Sequence, residues 1–413
     1  MKSRHTRLSR AALAVMGTAL LATACASPAA GGSPASKTDD ATSGTKVDAQ
    51  SPRVTVTYDG GILVLDGTTL EEVADLPIDG FTRVNSAGDG RHVLVTVPSG
   101  FQVLDAGTWT EDGSSYVTDP ELTDLIFEAD AAGHVVKHGG KTVLYADGTG
   151  DTTIFTTEDL LTMDGELPET EVIPAPEAHH GVSIELDDGT LLTTVGDSES
   201  RSGIRVLNAE REEVAVSDEC PSVHGEGTAA NEVAVFGCSD GVLAYDGGEI
   251  TKIPAPDAYG RMGNAYVSDS SSIAVGDYNS NPDSEGYLLT ELALIDTEAK
   301  TMQVIDLPEG ISYTWRDVAR GPNDDIYLLG SDGSLHVLDE TTGEITASYP
   351  VIDPWESPVE WQDPHPALVV HGSVAYVTEP ATNSLHAIDL MTGEVIESTE
   401  LAGTPNEIAV AAG

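Results

Sequence analysis

One short phrase recurs along the chain and limits what it can fold into. It reads Ile62-Leu-Val-Leu-Asp66, Gln102-Val-Leu-Asp105, Ile204-Arg-Val-Leu-Asn208, Leu292-Ala-Leu-Ile-Asp296, Leu335-His-Val-Leu-Asp339 and Leu385-His-Ala-Ile-Asp389. A turn and a polar–apolar strand usually follow, as in Thr341-Thr-Gly343-Glu-Ile345 and Met391-Thr-Gly393-Glu-Val395. Successive copies lie near 40 to 50 residues apart, and no sustained apolar period of 3.6 appears between them. Short β runs punctuated by Asp-Gly, Gly-Gly and Asn turns, four to a unit, are the signature of a β-propeller. The chain is therefore expected to be all-β.

Units begin near Thr82, His134, His180, His224, Asn264, Asp317 and His365. In the unit at His180 the expected strands are His180–Leu186, Thr190–Val195, Gly203–Asn208 and Glu212–Ser217. The N-terminal unit, Arg53 to Ile78, has three strands only, and Pro405-Asn-Glu-Ile-Ala-Val410 supplies a fourth. A C-terminal strand inserted there closes the ring and removes an exposed sheet edge. The expectation is eight blades, or seven if one unit is miscounted, forming one domain over residues 53–413.

What precedes that domain reads as an address. Lys2, Arg4, Arg7 and Arg10 stand before an apolar run from Ala11 to Leu21, followed by Ala22-Thr23-Ala24-Cys25. Small residues before a Cys resemble a lipobox, so residues 1–24 are expected to be a lipoprotein signal peptide and Cys25 the lipidated residue. The alternative is an ordinary signal peptide cut nearby. Residues 25–52, rich in Ser, Ala, Gly, Thr and Pro, read as a flexible tether. The mature protein is expected on the outer face of the cytoplasmic membrane, held there only by its lipid. Removing the leader leaves 15 basic against 69 acidic side chains. So negative a surface argues against nucleic acid and anionic lipid as ligands and draws cations.

With Cys25 assigned, Cys220 and Cys238 remain. An even pair in an exported chain is most simply a disulfide. The rival is a zinc pair, because Cys220 and His224 are four apart.

Aligning the units on their second strand brings histidines into register. His134, His224 and His365 each lie nine residues before a Val, at Val143, Val233 and Val374, and His180 lies eleven before Leu191 in a longer hairpin. Asn264 and Asp317 share that offset in other units. Equivalent positions in a closed ring converge on its axis. Neutral imidazoles gathered at one point suit Zn²⁺. His134, His180 and His224 come from adjacent units and form the expected set; His365, on the far side, is a further candidate. The bland reading is that these residues only hydrogen-bond in a wet channel. His179 is expected behind His180 or as a substitute ligand, and His138, His336, His371 and His386 in structural roles. The stretch Asp277-Tyr-Asn279-Ser-Asn281-Pro-Asp283 lacks the Gly and terminal Glu of a calcium loop and reads as a surface turn.

Gly133-His134-Val-Val, Ala178-His-His-Gly181-Val, Cys220-Pro-Ser-Val-His224-Gly225-Glu226 and Phe236-Gly-Cys238-Ser-Asp-Gly241 resemble the AztD family of exported zinc metallochaperones. So do Gly276-Asp-Tyr278, Ala319-Arg320-Gly-Pro322, Tyr376-Val-Thr-Glu-Pro380 and Thr404-Pro-Asn406-Glu-Ile. The resemblance implies a propeller that binds zinc outside the cytoplasm and passes it to the solute-binding protein of a zinc ABC importer; the chain is expected to be a monomer. It maps His134, His180 and His224 onto the family's motif histidines. Many members carry a His-rich N-terminal segment, whereas Ala26 to Gln50 contains no His. Handover is then expected to follow another route or to use the channel mouth alone. Two other classes remain as alternatives: a propeller enzyme (a metal-dependent hydrolase or quinone-dependent dehydrogenase) and a metal-free interaction scaffold.

Overall fold

The computed structural model describes residues 44–163, 165–284 and 286–413. The expected signal peptide, Cys25 and most of the tether lie outside them. The described residues form eight four-stranded antiparallel sheets and one three-stranded sheet. Eight blades therefore stand where eight or seven were expected.

The recurring phrase is the third strand of a blade, as in Gly61–Asp66, Gly100–Asp105, Glu291–Asp296 and Ser384–Asp389. Its apolar residues are covered because neighbouring blades lie on both faces, while outermost strands such as Ile345–Pro350 alternate between half-buried and exposed. The closing Asp has a separate task. Asp66 Oδ1 accepts from the backbone N–H of Thr68 and Thr69, at 2.9 and 3.0 Å. Asp296, Asp339 and Asp389 repeat the arrangement at their own turns. Each carboxylate satisfies two backbone donors that the tight turn leaves open, which is why the phrase ends as it does.

The first blade is split. Arg53–Tyr58 pairs on one side with Gly61–Asp66 and on the other with Ile408–Ala411, in register Arg53 to Ala411 and Val56 to Ile408. The C-terminal strand is thus the innermost of its blade, and the ring closes as expected. Val54, Leu63, Leu65, Leu385 and Ala387 share one core between the split blade and the last one. Arg316 reinforces the seam, donating to Glu407 Oε1 at 2.6 Å and Asn406 Oδ1 at 2.7 Å.

The second blade departs from the repeat. Its outer strand is Glu121–Glu128, and a hairpin of Thr108–Glu111 and Ser114–Val117 is inserted before it. Thr45–Val47 pairs with that hairpin, Thr45 opposite Val117. The expected tether over 25–52 is therefore corrected at its C-terminal end. Three residues there recover their backbone hydrogen bonds from the exposed side of an inserted hairpin, which composition does not announce.

The third, fourth and fifth blades begin with inner strands Ala132–His138, Ser183–Glu185 and His224–Ala229. Their shared core runs from Val136 through Ile184, Leu192 and Val206 to Phe236 and Leu243. Cys220 and Cys238 are bonded within it. Cys220 N–H donates to Ser202 O at 2.9 Å in the fourth blade, while Cys238 ends the second strand of the fifth. The disulfide thereby clamps two neighbouring blades.

Candidate metal centre

A cavity of about 630 Å³ opens at one end of the ring axis. Arg83, His134, His180, His224, Asn264, Trp315 and Trp361 line it, so seven of the eight blades contribute. The repeat alignment placed four of them, His134, His180, His224 and Asn264, at the starts of innermost strands, and the closed ring turns that shared register into convergence.

His134, His180 and His224 meet there. Their ring centroids stand 5.0 to 5.2 Å apart, and one ligand atom from each lies within 4.8 Å of the others. His180 Nε2 and His224 Nε2 are 2.9 Å apart. The opposite nitrogens of these two rings are taken: His180 Nδ1 lies 2.5 Å from Asp147 Oδ2, and His224 Nδ1 lies 2.5 Å from Gly263 O. An acceptor behind each imidazole fixes the ring and leaves Nε2 as its free lone pair, the arrangement found behind metal-bound histidines. His134 Nδ1 is buried without a hydrogen-bond partner. The Gly181 backbone raises the His134 pKa, without reaching hydrogen-bond geometry, against the stronger opposing effect of burial.

The glycine after each of two of these histidines is required by space. Gly225, at φ +67°, would drive a Cβ to 2.3 Å from Gly263 O, the carbonyl that holds His224. A Cβ at Gly181 would meet Thr194 Oγ1 at 2.3 Å and the Tyr145 ring at 2.7 Å. The His-Gly steps thus let the backbone approach its neighbours at the site. His180 itself precedes its strand instead of starting it, a small correction. Gly181 N–H turns to Asp147 Oδ1 at 3.4 Å and Val182 N–H to Thr194 Oγ1 at 3.1 Å, so regular pairing begins only at Ser183.

Burial decides the charge state of two of these imidazoles. Desolvation first, then the neighbouring His224, His180 and Arg83, hold the His134 pKa well below its ordinary value. Desolvation is also the main cause at His224, lowered to about 3, where the Gly263 carbonyl opposes it and His180, Arg201 and Arg261 add to it. Both rings are therefore neutral lone-pair donors at physiological pH. Behind them, Asp277 accepts from Gly263 N–H at 2.5 Å and from Asn264 N–H and Nδ2–H at 2.8 Å. That carboxyl holds the segment whose carbonyl orients His224. Asp277 begins the calcium-like stretch, but it is buried and spent on these donors.

His365 is not brought into the group. It precedes the inner strand of the eighth blade, four blades from His180 and across the axis. Its Nδ1 lies 2.8 Å from Asp363 O, and desolvation, with the charge of Arg316, lowers its pKa to about 4. Standing across the ring from the other three, it adds no ligand atom to their group, so equal register did not bring equal position. His179 is buried against Tyr145 and Thr194, with Nε2 at 2.9 Å from Tyr145 Oη and 3.0 Å from Thr194 Oγ1. It supports the turn and is not a substitute ligand in this arrangement. His138, expected in a structural role, stands in a group the sequence did not suggest. At the other end of the strand that carries His134, its Nε2 lies 2.9 Å from Glu232 Oε1, and Asp187 N–H donates to Glu232 Oε2 at 3.0 Å. The three form a second group of potential ligands. Sequence reasoning also missed Asp147, whose place at the end of a second strand carries no signal of its own.

No family model matches the chain. Over 339 residues it is 25% identical to the zinc chaperone AztD of Citrobacter koseri, covering 81% of this chain and 76% of that protein. The resemblance expected from the residues is borne out. Two solved structures of Citrobacter koseri AztD, one of them of the apo protein, superpose with TM-score 0.74. They share 20% and 21% identity, cover 88% of this chain, and are themselves covered to 98% and 99%. Dihydro-heme d1 dehydrogenase NirN is more distant, at TM-score 0.56 and 13% identity, covering 87% of this chain and 74% of its own. At these identities the solved structures speak to the fold.

Proposed function

We propose that the protein is an extracytoplasmic zinc chaperone, a carrier and not an enzyme, which holds zinc through His134, His180 and His224. The observation that carries this reading is the convergence of three imidazoles from three consecutive blades, two of them oriented by acceptors behind the ring. The similarity to a protein named as a zinc chaperone supports the same reading.

Zinc is cargo here, and the residues divide the work of carrying it. His134 and His224 supply lone pairs that need no deprotonation. Asp147 aligns His180 and, as a carboxylate behind the ring, strengthens its donor nitrogen. Three protein ligands leave a tetrahedral ion one position open. His180 is the exposed member, its side chain 48% accessible, so the open position and the most exposed ligand share the channel mouth. An incoming ligand from a receiver can bind there before the last imidazole lets go. Stepwise exchange of this kind avoids releasing free metal.

The receiver is the solute-binding protein of a zinc ABC importer. The chain acts as a monomer on the outer face of the cytoplasmic membrane, anchored through a lipid on Cys25; the leader and the Ala22-Thr23-Ala24-Cys25 stretch support that placement. A competition titration with a chromophoric chelator tests the site. Wild type should retain one zinc that a His180→Ala/His224→Ala variant yields to the chelator, and equal retention would remove the site. Mixing the zinc-loaded protein with its receiver in excess chelator tests delivery: metal must reach the receiver faster than chelator alone strips the donor.

A further inference from the structure

Among the described residues, most exposed large apolar side chains stand on outermost strands, as Val73, Val172, Val214, Val216, Val395 and Ile396 do. Such strands face water on one side, and single apolar residues there need no further cause. Phe81 and Val359 are different. They are 44% and 86% exposed, and both sit on connections between blades. Phe81 precedes the inner strand of the second blade, and Val359 belongs to residues 351–367, the longest connection between two blades.

Connections of more than about 12 to 15 residues without secondary structure are uncommon in compact domains and usually functional. This one is pinned. Trp355 donates its backbone N–H to Ser331 O and its indole N–H to Gly330 O, both at 2.9 Å. The connection thereby brings Trp361 to the channel mouth, where it lines the cavity of the three histidines. Phe81 meets the Trp361 ring edge to face, with centroids 5.5 Å apart. Arg83 lies 5.0 and 5.8 Å from the Trp315 and Trp361 ring centres. Phe81 also lines a second hollow of about 480 Å³, with Tyr58 and Pro364, so the aromatic pair joins that hollow to the metal cavity.

The chain has only 4 Trp and 5 Phe, and two of the former and one of the latter share this edge. Aromatic side chains and arginine are the usual anchors of protein–protein contacts. The flanking positions are acidic: Asp59, Asp79, Asp353, Glu356, Glu360 and Asp363 are all exposed, and residues 351–367 hold no Lys or Arg. An apolar edge within an acidic rim fits a partner of complementary make-up. We propose that the receiving protein docks here, seating an apolar side chain in the hollow beside Phe81 and setting lysines or arginines against the acidic rim. This rests on reading the protein as a carrier that hands zinc on. Docked against Trp361, the receiver stands at the opening where His180 is exposed. The opposite charges steer its approach, and the aromatic contact holds it during exchange.

The probe is the metal-free solute-binding protein of the zinc ABC importer. Its binding to the carrier is measured by biolayer interferometry, and its capture of zinc from the loaded carrier by stopped flow. A Phe81→Ser/Val359→Ser variant should keep its zinc affinity, bind the receiver at least tenfold more weakly, and transfer zinc correspondingly slower at subsaturating receiver. Val214→Ser/Val216→Ser, which removes exposed apolar side chains from an outermost strand, should change neither. Raising salt from about 50 to about 500 mM should weaken wild-type binding at least threefold. A mouth variant that binds and transfers like wild type, a control pair that is equally impaired, or binding indifferent to salt each overturn the proposal. So does a mouth variant that keeps receiver binding but loses self-association or binding to phosphatidylcholine vesicles, which would assign the edge to a second copy or to lipid. If wild type gives zinc to no receiver, the carrier reading itself has failed, and this inference falls with it.

Discussion

Lowering the pH should weaken zinc binding far less than three imidazole ligands would ordinarily suggest. Zinc competes with protons for each ligand, so affinity falls as pH drops below the ligand pKa. Three imidazoles with ordinary values near 6.5 would together cost roughly 30,000-fold in affinity between pH 7.5 and pH 5, about 30-fold each. Here His134 is held well below that value and His224 is lowered to about 3. His224 has almost no proton to release at pH 5 and His134 is shifted in the same direction, so the ligands compete with fewer protons than three ordinary imidazoles. One competing proton would limit the loss over that interval to at most roughly 300-fold, far short of the three-imidazole figure. Calorimetry in buffers of different ionisation enthalpy counts the protons released per zinc. Fewer than one at pH 5.5 is expected, and two or more would refute the claim that burial keeps these rings neutral. Stability of the metal-free fold should also fall as pH drops. Both rings have a folded pKa below the unfolded value, so the unfolded chain takes up more protons once pH drops beneath about 6.5. Stability is thus full above that pH and declines as pH falls towards the folded values.

Further outcomes follow from named contacts. Asp147→Asn removes the charge behind His180 while keeping the shape, and should weaken zinc about 10- to 100-fold in a chelator competition, the usual range for a partner behind a ligand; unchanged affinity would mean that the 2.5 Å contact is incidental. Cys220→Ser/Cys238→Ser opens a crosslink of sequence separation 18 and should cost about 3 kcal/mol in denaturant unfolding. The same variant should bind zinc more weakly, because the crosslink joins the blades that present His180 and His224. His365→Ala should leave zinc affinity unchanged, and a loss beyond threefold would return that residue to the ligand set.

The parts of this molecule legible in its sequence are those that repeat. The phrase ending in Asp encodes strand and turn together, and eight copies of one architecture followed from its period. The three ligands were legible for the same reason, since a ring converts a shared offset into a shared location. His365 shows where that logic stops. Register carries a residue to the axis, but the field of Arg316 there was invisible in one dimension. Asp147, Arg83, Arg201 and Arg261 occupy no common offset, so their gathering depends on how blades pack. The inserted hairpin and Thr45–Val47 were missed because Ser-, Thr- and Gly-rich segments read as loop unless a partner strand is known.

The pairing of Arg53–Tyr58 with Ile408–Ala411 also sets an order of events during biosynthesis. Thr57 and its hydrogen-bond partner Glu407 lie 350 residues apart, so the first strand waits for the last stretch of chain to be made. Synthesis runs from the N-terminus, and through that interval the inner edge of the first blade presents open backbone donors and acceptors. The three imidazoles are in hand by residue 224, with nearly half the polypeptide still to come. A product ending short of Ile408 would carry all three imidazoles of the proposed centre and still expose a sheet edge to proteases and to other chains. An unfinished chain therefore differs from the finished one by its open edge and not by missing imidazoles.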